Sequence, residues 1–263
     1  MVGLGVLFAF VLFIADKKLR VEENPKIEKI EKTFAGSNCG ACGYPSCRLA
    51  AEAIVKGEAD VNSCIVGGEN TAKEIARIVG KEFTKETHKN IAIVQCGIDS
   101  KTRQISAKYN GIKSCVAVNL IMQGGMACKY GCVGLGDCAE VCPVDAIIME
   151  NGTPVIDIEK CIGCGVCIKA CPRNIISLGA YNPDERVIHV ACNNPEPGKQ
   201  VRAVCKIGCI ACGICQKLSE SVFEVKDNLS RVNLQKIREK KEIKWDKIIQ
   251  ECPTHCILEV HRK

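Results

Sequence analysis

The sequence predicts an α+β chain assembled from small modules: a short apolar N-terminal helix, a small α-helical cysteine domain, and a tandem strand–loop–helix unit whose last copy is degenerate. Three observations predict this. Cysteine supplies 21 of the 263 residues while aromatics make up 4%, so large rings do not fill the interior. The cysteines fall in short regular hooks. One stretch, Cys128-Lys-Tyr-Gly-Cys132-Val-Gly, returns 77 residues later as Cys205-Lys-Ile-Gly-Cys209-Ile-Ala, the mark of an internal repeat. Together they exclude disorder, collagen and an enzyme with only a few catalytic thiols.

Residues 1–15 form an uncharged apolar run halted by Asp16-Lys17-Lys18. As a helix this run reaches about 22 Å, short of a ~30 Å hydrocarbon core. A signal peptide would need a basic start and a small-residue cleavage site, and neither is visible. A buried core helix is a second alternative. A membrane anchor over residues 1–20 fits better, and its basic flank puts the bulk of the chain on the cytoplasmic side.

Residues 21–85 are expected to form the helical cysteine domain. Ile27, Ile30 and Phe34 follow Asn24-Pro25 at helical spacing. Cys39, Cys42, Cys47 and Cys64 are spaced CxxCxxxxCx16C, with Gly40, Gly43 and Pro45 tightening the loop. A helix follows, with Leu49, Ala50, Ala53 and Ile54 on one face and Gly57 as its stop. It carries the chain on to Cys64, which closes the site. A second amphipathic helix places Ala72, Ile75, Ala76 and Val79 together and ends at Gly80. A structural zinc knuckle is the alternative use of the four cysteines. The polar stretch 81–89 marks the boundary.

Residues 86–182 form the first repeat. An apolar strand, 91–95, runs into Cys96, and Asn151-Gly152 turns a hairpin between 146–150 and 154–157. Cys161, Cys164, Cys167 and Cys171-Pro172 form an unbroken CxxCxxCxxxCP. Secreted disulfide frameworks are much shorter, and an odd cysteine count forbids complete internal pairing. Zinc sites favour paired hooks with histidine, but the chain has 4 His and none lies beside a CxxC. The run therefore reads as a bacterial two-cluster ferredoxin hook, whose fourth cysteine serves the neighbouring cluster. Earlier in the repeat, Cys132, Cys138 and Cys142-Pro143 keep the first, third and fourth positions, and Leu135 stands at the second. One cluster then takes Cys142, Cys161, Cys164 and Cys167. The other takes Cys132, Cys138 and Cys171, with Cys128, nearest in sequence, as the expected substitute.

Residues 183–263 form the second repeat, where residues 187–191 lead into Cys192. Cys209, Cys212, Cys215 and Cys252 survive. Ser219, Glu242, Trp245 and Ile248 stand where the four ligands of a second cluster belong. Such joint loss is what ligand sharing predicts, and Trp245 and Ile248 are expected to fill the vacated volume. Cys96, Cys115, Cys192, Cys205 and Cys256 stay unassigned. Four of them could build a fifth cluster, or all could pack as small buried thiols. His189, His255 and His261 are expected to carry no chemistry.

The formal charge of +6 is not a nucleic-acid signal, because it counts every cysteine as neutral. Each oxidised [4Fe–4S] site with four thiolates carries about −2, so four sites bring the loaded chain to about −2. Glu239-Lys240-Lys241 and Lys244 read as a solvated face, and no basic–aromatic interleaving supports nucleic-acid binding.

The apolar start, Val21-Glu-Glu-Asn-Pro-Lys, Gly36-Ser-Asn-Cys-Gly-Ala-Cys-Gly-Tyr-Pro-Ser-Cys47 and Lys129-Tyr-Gly-Cys-Val-Gly-Leu-Gly-Asp-Cys138 together resemble the B subunits of Rnf complexes, the ion-translocating ferredoxin:NAD oxidoreductases. The resemblance covers nearly the whole chain and is most specific over 36–64 and 128–172. It implies an electron-input subunit that accepts electrons from soluble ferredoxin and relays them through [4Fe–4S] clusters to membrane-embedded partner subunits. It also implies a place at the inner cell membrane, with flavin and NAD bound by other subunits. The chain agrees in having no GxGxxG on a strand–turn–helix. A soluble electron-transfer component and a zinc-stapled interaction protein are the alternatives.

Overall fold

Pro25 after Asn24 starts the first helix of the cysteine domain, because proline's missing N–H costs nothing at the first helical position. The computed structural model describes residues 2–19, 24–83, 89–181, 186–233, 236–237 and 243–260. The chain divides into two units, one of residues 1–38 and 44–83, the other of 39–43 and 84–263. The basic run 239–241, Glu242, His261 and part of the expected boundary at 81–89 lie outside the described residues.

The first unit is helical: α1 (Val2–Leu19), α2 (Pro25–Thr33), α3 (Cys47–Lys56), a 3-10 turn (Val61–Ser63) and α4 (Gly68–Val79). α1 runs past the apolar stretch through Asp16-Lys17-Lys18, and its apolar residues surround it rather than forming one stripe. Phe8, Phe10, Leu12 and Phe13 are all more than half exposed. Among the described residues no helix is long and apolar enough to cross a membrane. Asn24 Oδ1 caps α2 by accepting from Lys26 N–H at 3.0 Å, and Ser46 Oγ caps α3 by accepting from Leu49 N–H at 3.2 Å. Gly57, at φ 80°, ends α3 in the left-handed region, where a side chain would be strained. Ile30, Ile54 and Ile75 are fully buried where α2, α3 and α4 pack. Each such isoleucine contributes roughly 1.5–3 kcal/mol relative to an exposed one. Leu49, expected on the inner face of α3, is 44% exposed, and Ala51 is buried instead.

The second unit contains both repeats, and each has the same topology. In the first, β1 (Lys89–Val94) pairs antiparallel with β4 (Ile176–Tyr181), with Lys89 opposite Tyr181 and Val94 opposite Ile176. Between them lies the hairpin of β2 (Ile147–Glu150) and β3 (Thr153–Ile156). Its turn residues Asn151 and Gly152 have φ of 48° and 71°, as a two-residue turn of this hand requires. Helices α5 (Cys115–Leu120), α6 (Asp137–Glu140) and α7 (Val166–Ala170) complete the repeat. In the second, β5 (Ile188–Val190) pairs with β8 (Ile257–Glu259), and β6 (Phe223–Lys226) forms a hairpin with β7 (Leu229–Val232). Its helices are α8 (Gly198–Val204), α9 (Ile214–Leu218) and α10 (Trp245–Gln250).

Each repeat buries its own aliphatic and cysteine core. Ile248 is 1% exposed, and Trp245 meets Phe223 edge-on with ring centroids 6.3 Å apart. The side chains at two positions vacated by cysteine thus pack as core. Ser219, at a third, is buried and accepts from Phe223 N–H at 3.0 Å.

Candidate metal centres

Three groups of cysteines follow from this repeated topology. Among the described residues, no three His, Cys, Asp or Glu side chains converge tightly enough to hold a single metal ion. The cysteines stand instead around wider spaces.

In the first repeat, the loop between β3 and α7 carries Cys161 and Cys164, and Cys167 lies in α7. Cys142 follows α6 and turns its sulfur toward Ala146, whose N–H donates to it at 3.3 Å. Ala92 N–H, on β1, donates to Cys161 Sγ at 3.3 Å. Burial pushes Cys167 up to about 12, with Cys164, Cys161, Cys138 and Cys142 adding to the rise. Burial likewise raises Cys164, helped by Cys142, Cys161 and Cys39. Cys142 thus lies near Cys164 and Cys167, and Cys138 lies near Cys167 as well.

Cys171 leaves that group. With Cys132, Cys138 and Cys115 it lines a small, partly open cavity whose walls include Pro172 and Ile176. Cys128 is not among the lining residues. The reason is backbone geometry. The N–H groups of Asp137, Leu135 and Gly136 turn toward the Cys115 sulfur and partly offset the rise that burial imposes on it. Cys115 thus reaches the loop position where Leu135 stands in place of a second cysteine. Asp137 fixes this approach: its carboxylate accepts from Cys115 N–H at 2.7 Å, Ser114 Oγ at 2.8 Å and Val116 N–H at 3.3 Å. Burial alone would raise the Asp137 carboxyl, but these donors outweigh it and hold it low. Burial pushes Cys132 up to about 12 and Cys138 to about 11.

In the second repeat, Cys209, Cys212, Cys215 and Cys252 line a small, partly open cavity, joined by Cys256. Cys252 Sγ lies 3.7 Å from Cys256 Sγ. Sharing the Cys256 thiol holds Cys209 and Cys252 below the ordinary thiol range and Cys256 above it. Cys215 Sγ is 3.2 Å from Ser230 Oγ.

The N-terminal four are described unit by unit. Cys47 and Cys64 belong to the first, where Cys47 N–H donates to Asn38 Oδ1 at 2.8 Å. Cys39 and Cys42 belong to the second, where Lys169 Nζ donates to Gly40 O at 3.4 Å. All four are partly exposed.

Residues 35–66 match the family described as "Putative Fe-S cluster", 154–177 match "4Fe-4S binding domain", and 204–258 match "4Fe-4S single cluster domain of Ferredoxin I". The B subunit of an ion-translocating oxidoreductase complex from Methanosarcina acetivorans is 37% identical over 216 residues, 82% of this chain and 80% of that protein. The B subunit of a Na(+)-translocating ferredoxin:NAD(+) oxidoreductase complex from Acetobacterium woodii is 36% identical over 96% of this chain and 74% of its own length. That of a proton-translocating ferredoxin:NAD(+) oxidoreductase complex from Clostridium ljungdahlii is 38% identical over 78% and 72%. The chain belongs to the family of B subunits of ion-translocating oxidoreductase complexes.

The donor sets of this B-subunit chain fit iron–sulfur clusters. Thiolates are the preferred cluster ligands, and both cavities present four or more cysteines among aliphatic walls. Two arginines stand beside them, Arg173 buried and Arg231 half-buried. Arg173, 8% exposed, donates through Nε to Asn119 Oδ1 at 2.7 Å and through Nη1 to Cys128 O at 3.3 Å and Lys129 O. Burial lowers its guanidinium while Cys128, Cys132, Cys171 and Cys115 pull the other way. Arg231 does the same beside Cys192 and Cys209, donating to Cys192 O at 2.6 Å. Sequence reasoning missed both arginines and the position of Cys115, because neither lies in a cysteine hook.

Proposed function

We propose that this chain is the electron relay of an ion-translocating ferredoxin:NAD oxidoreductase complex, taking electrons from reduced ferredoxin and passing them to partner subunits. Clusters of the [4Fe–4S] type supply reversible one-electron storage. One is assigned to Cys39, Cys42, Cys47 and Cys64, and one to Cys142, Cys161, Cys164 and Cys167. A third belongs to Cys115, Cys132, Cys138 and Cys171, and a fourth to Cys209, Cys212, Cys215 and Cys252. The exposed, all-round apolar surface of α1 supports attachment to the membrane, with the remaining domains on the cytoplasmic side.

The observation that supports this reading lies in the first repeat, where Cys171, at the end of the CxxCxxCxxxCP run, lines the same cavity as Cys132 and Cys138. Two clusters sharing one stretch of chain in this manner are close neighbours, which single-electron hopping requires. The protein's own contribution is electrostatic. Amides aimed at sulfur, the neighbouring arginines and aliphatic walls tune how readily an electron is accepted. The experiment is anaerobic titration of the purified full chain with reduced ferredoxin, followed by low-temperature EPR with iron and sulfide counting. Signals from several interacting reduced centres are expected. A colourless protein carrying zinc, with nothing reducible, would overturn the reading.

A further inference from the structure

We propose that Cys96, Cys128, Cys192 and Cys205 hold a further [4Fe–4S] cluster at the junction of the two repeats. The four residues are two equivalent pairs. Cys96 and Cys192 end the segments that follow β1 and β5, and Cys128 and Cys205 open the repeated loops. The fold brings the pairs together. Gly97 N–H donates to Ala191 O at 3.0 Å, joining the neighbours of Cys96 and Cys192. A Cβ on Gly97 would sit 3.2 Å from Ala191 Cβ and 3.1 Å from Leu258 Cδ1, so only glycine allows this approach without displacement. Asn194, 2% exposed, crosses from the second repeat so that its Nδ2 lies 3.8 Å from Cys128 Sγ. Lys129 Nζ and Glu196 Oε1, 2.8 Å apart, tie the same two segments.

The sulfurs are also dressed alike. Cys132 N–H donates to Cys96 Sγ at 3.3 Å, and Ile98 N–H turns to the same sulfur. At the equivalent positions of the second repeat, Cys209 N–H and Asn194 N–H turn to the Cys192 sulfur. Cys128, Cys192 and Cys205 are each no more than 8% exposed. Burial pushes Cys205 up to about 11, and Cys128, Cys192 and Cys96 all lie near enough to add to the rise. Thiols that merely packed as hydrophobes would not need amide donors repeated about an internal symmetry. Donors aimed at sulfur are what a cluster thiolate uses.

This inference rests on the relay reading and adds to it. Cys132 and Cys209 belong to the assigned sites on either side, and their amides reach the sulfurs of the junction. The junction site therefore lies between the clusters of the first repeat and that of the second. The transfer it serves is one electron from a reduced donor to an oxidised acceptor, with no bond made or broken and no proton moved.

The test uses the full chain reconstituted anaerobically with iron and sulfide, examined by native mass spectrometry and iron analysis. The single variants Cys192→Ala and Cys205→Ala should each lose about four iron and four sulfide. The double variant should lose the same one cluster rather than two. The parent's mass decides without any variant: five clusters sustain the proposal and four overturn it. Unchanged iron in Cys205→Ala also overturns it, as does a zinc ion that departs with Cys205. All three of those results leave the relay reading standing. A parent without iron removes the relay reading itself.

Discussion

The proposal that Cys115 stands in for the missing cysteine at Leu135 is open to a rescue experiment. In Cys115→Ala the cavity keeps Cys132, Cys138 and Cys171 but loses one thiolate, so the chain should lose about four iron and four sulfide. Leu135 occupies the second position of the hook, equivalent to Cys164 and Cys212. It is 40% exposed; of those two cysteines Cys164 is half-buried and Cys212 exposed. The N–H groups of Leu135, Gly136 and Asp137 already form the cradle of the Cys115 sulfur. A cysteine at 135 therefore starts from a loop shaped for a sulfur ligand. The double variant Cys115→Ala/Leu135→Cys should regain the lost cluster. Asp137→Asn should weaken the site without abolishing it, since it removes charge from an acceptor with contacts of 2.7 and 2.8 Å, at a cost of about 1–3 kcal/mol. Iron analysis and EPR of the three variants supply the readout. Full iron in Cys115→Ala, or rescue of Cys128→Ala by Leu135→Cys, would refute the assignment of Cys115 to this site.

Gly163 has φ +68°, and a Cβ there would run into the Asn90 carbonyl oxygen. Gly163→Ala should therefore lower thermal stability by about 1–3 kcal/mol and disturb the cluster of Cys161 and Cys164, measured by calorimetry and EPR. Arg173→Gln removes a buried positive charge beside Cys128, Cys132 and Cys171. Redox titration should show a neighbouring centre shifted to lower potential by on the order of tens of millivolts, with iron content unchanged. Ile248→Ala empties part of the vacated site and should cost roughly 2–5 kcal/mol in denaturant unfolding while the cluster of Cys209 and Cys252 persists.

Local features were legible where one residue type answers one backbone demand. Asn151-Gly152 announced the hairpin because the turn needs positive φ at both residues. Gly57 and Gly80 marked the ends of α3 and α4 for the same reason. The infilling by Trp245 and Ile248 could be read because the hook spacing names the missing positions. Leu49 was harder, since on a ten-residue helix a small rotation exchanges Leu49 for Ala51 at the buried edge. Cys115 and Cys128 show where reading along the chain stops. Cys128 is nearer in sequence to the incomplete hook, but residues 97–127 have no periodicity to say where they return. Only the folded contact between Asp137 and the start of α5 brings Cys115 to the gap. The arginines behind the sulfurs were invisible for a related reason: a buried guanidinium has no spacing rule.

The edge-on packing of Phe223 against Trp245 also bears on ancestry and engineering. Restoring cysteines at 245 and 248 would remove the side chains that fill this corner and leave Phe223, fully buried, with nothing to pack against on that side. Each mutational step back would pass through a crowded or hollow intermediate less stable than either end. The last repeat behaves like a ratchet: once a bulky hydrocarbon took over the chamber, the route to a second inorganic tenant closed behind it.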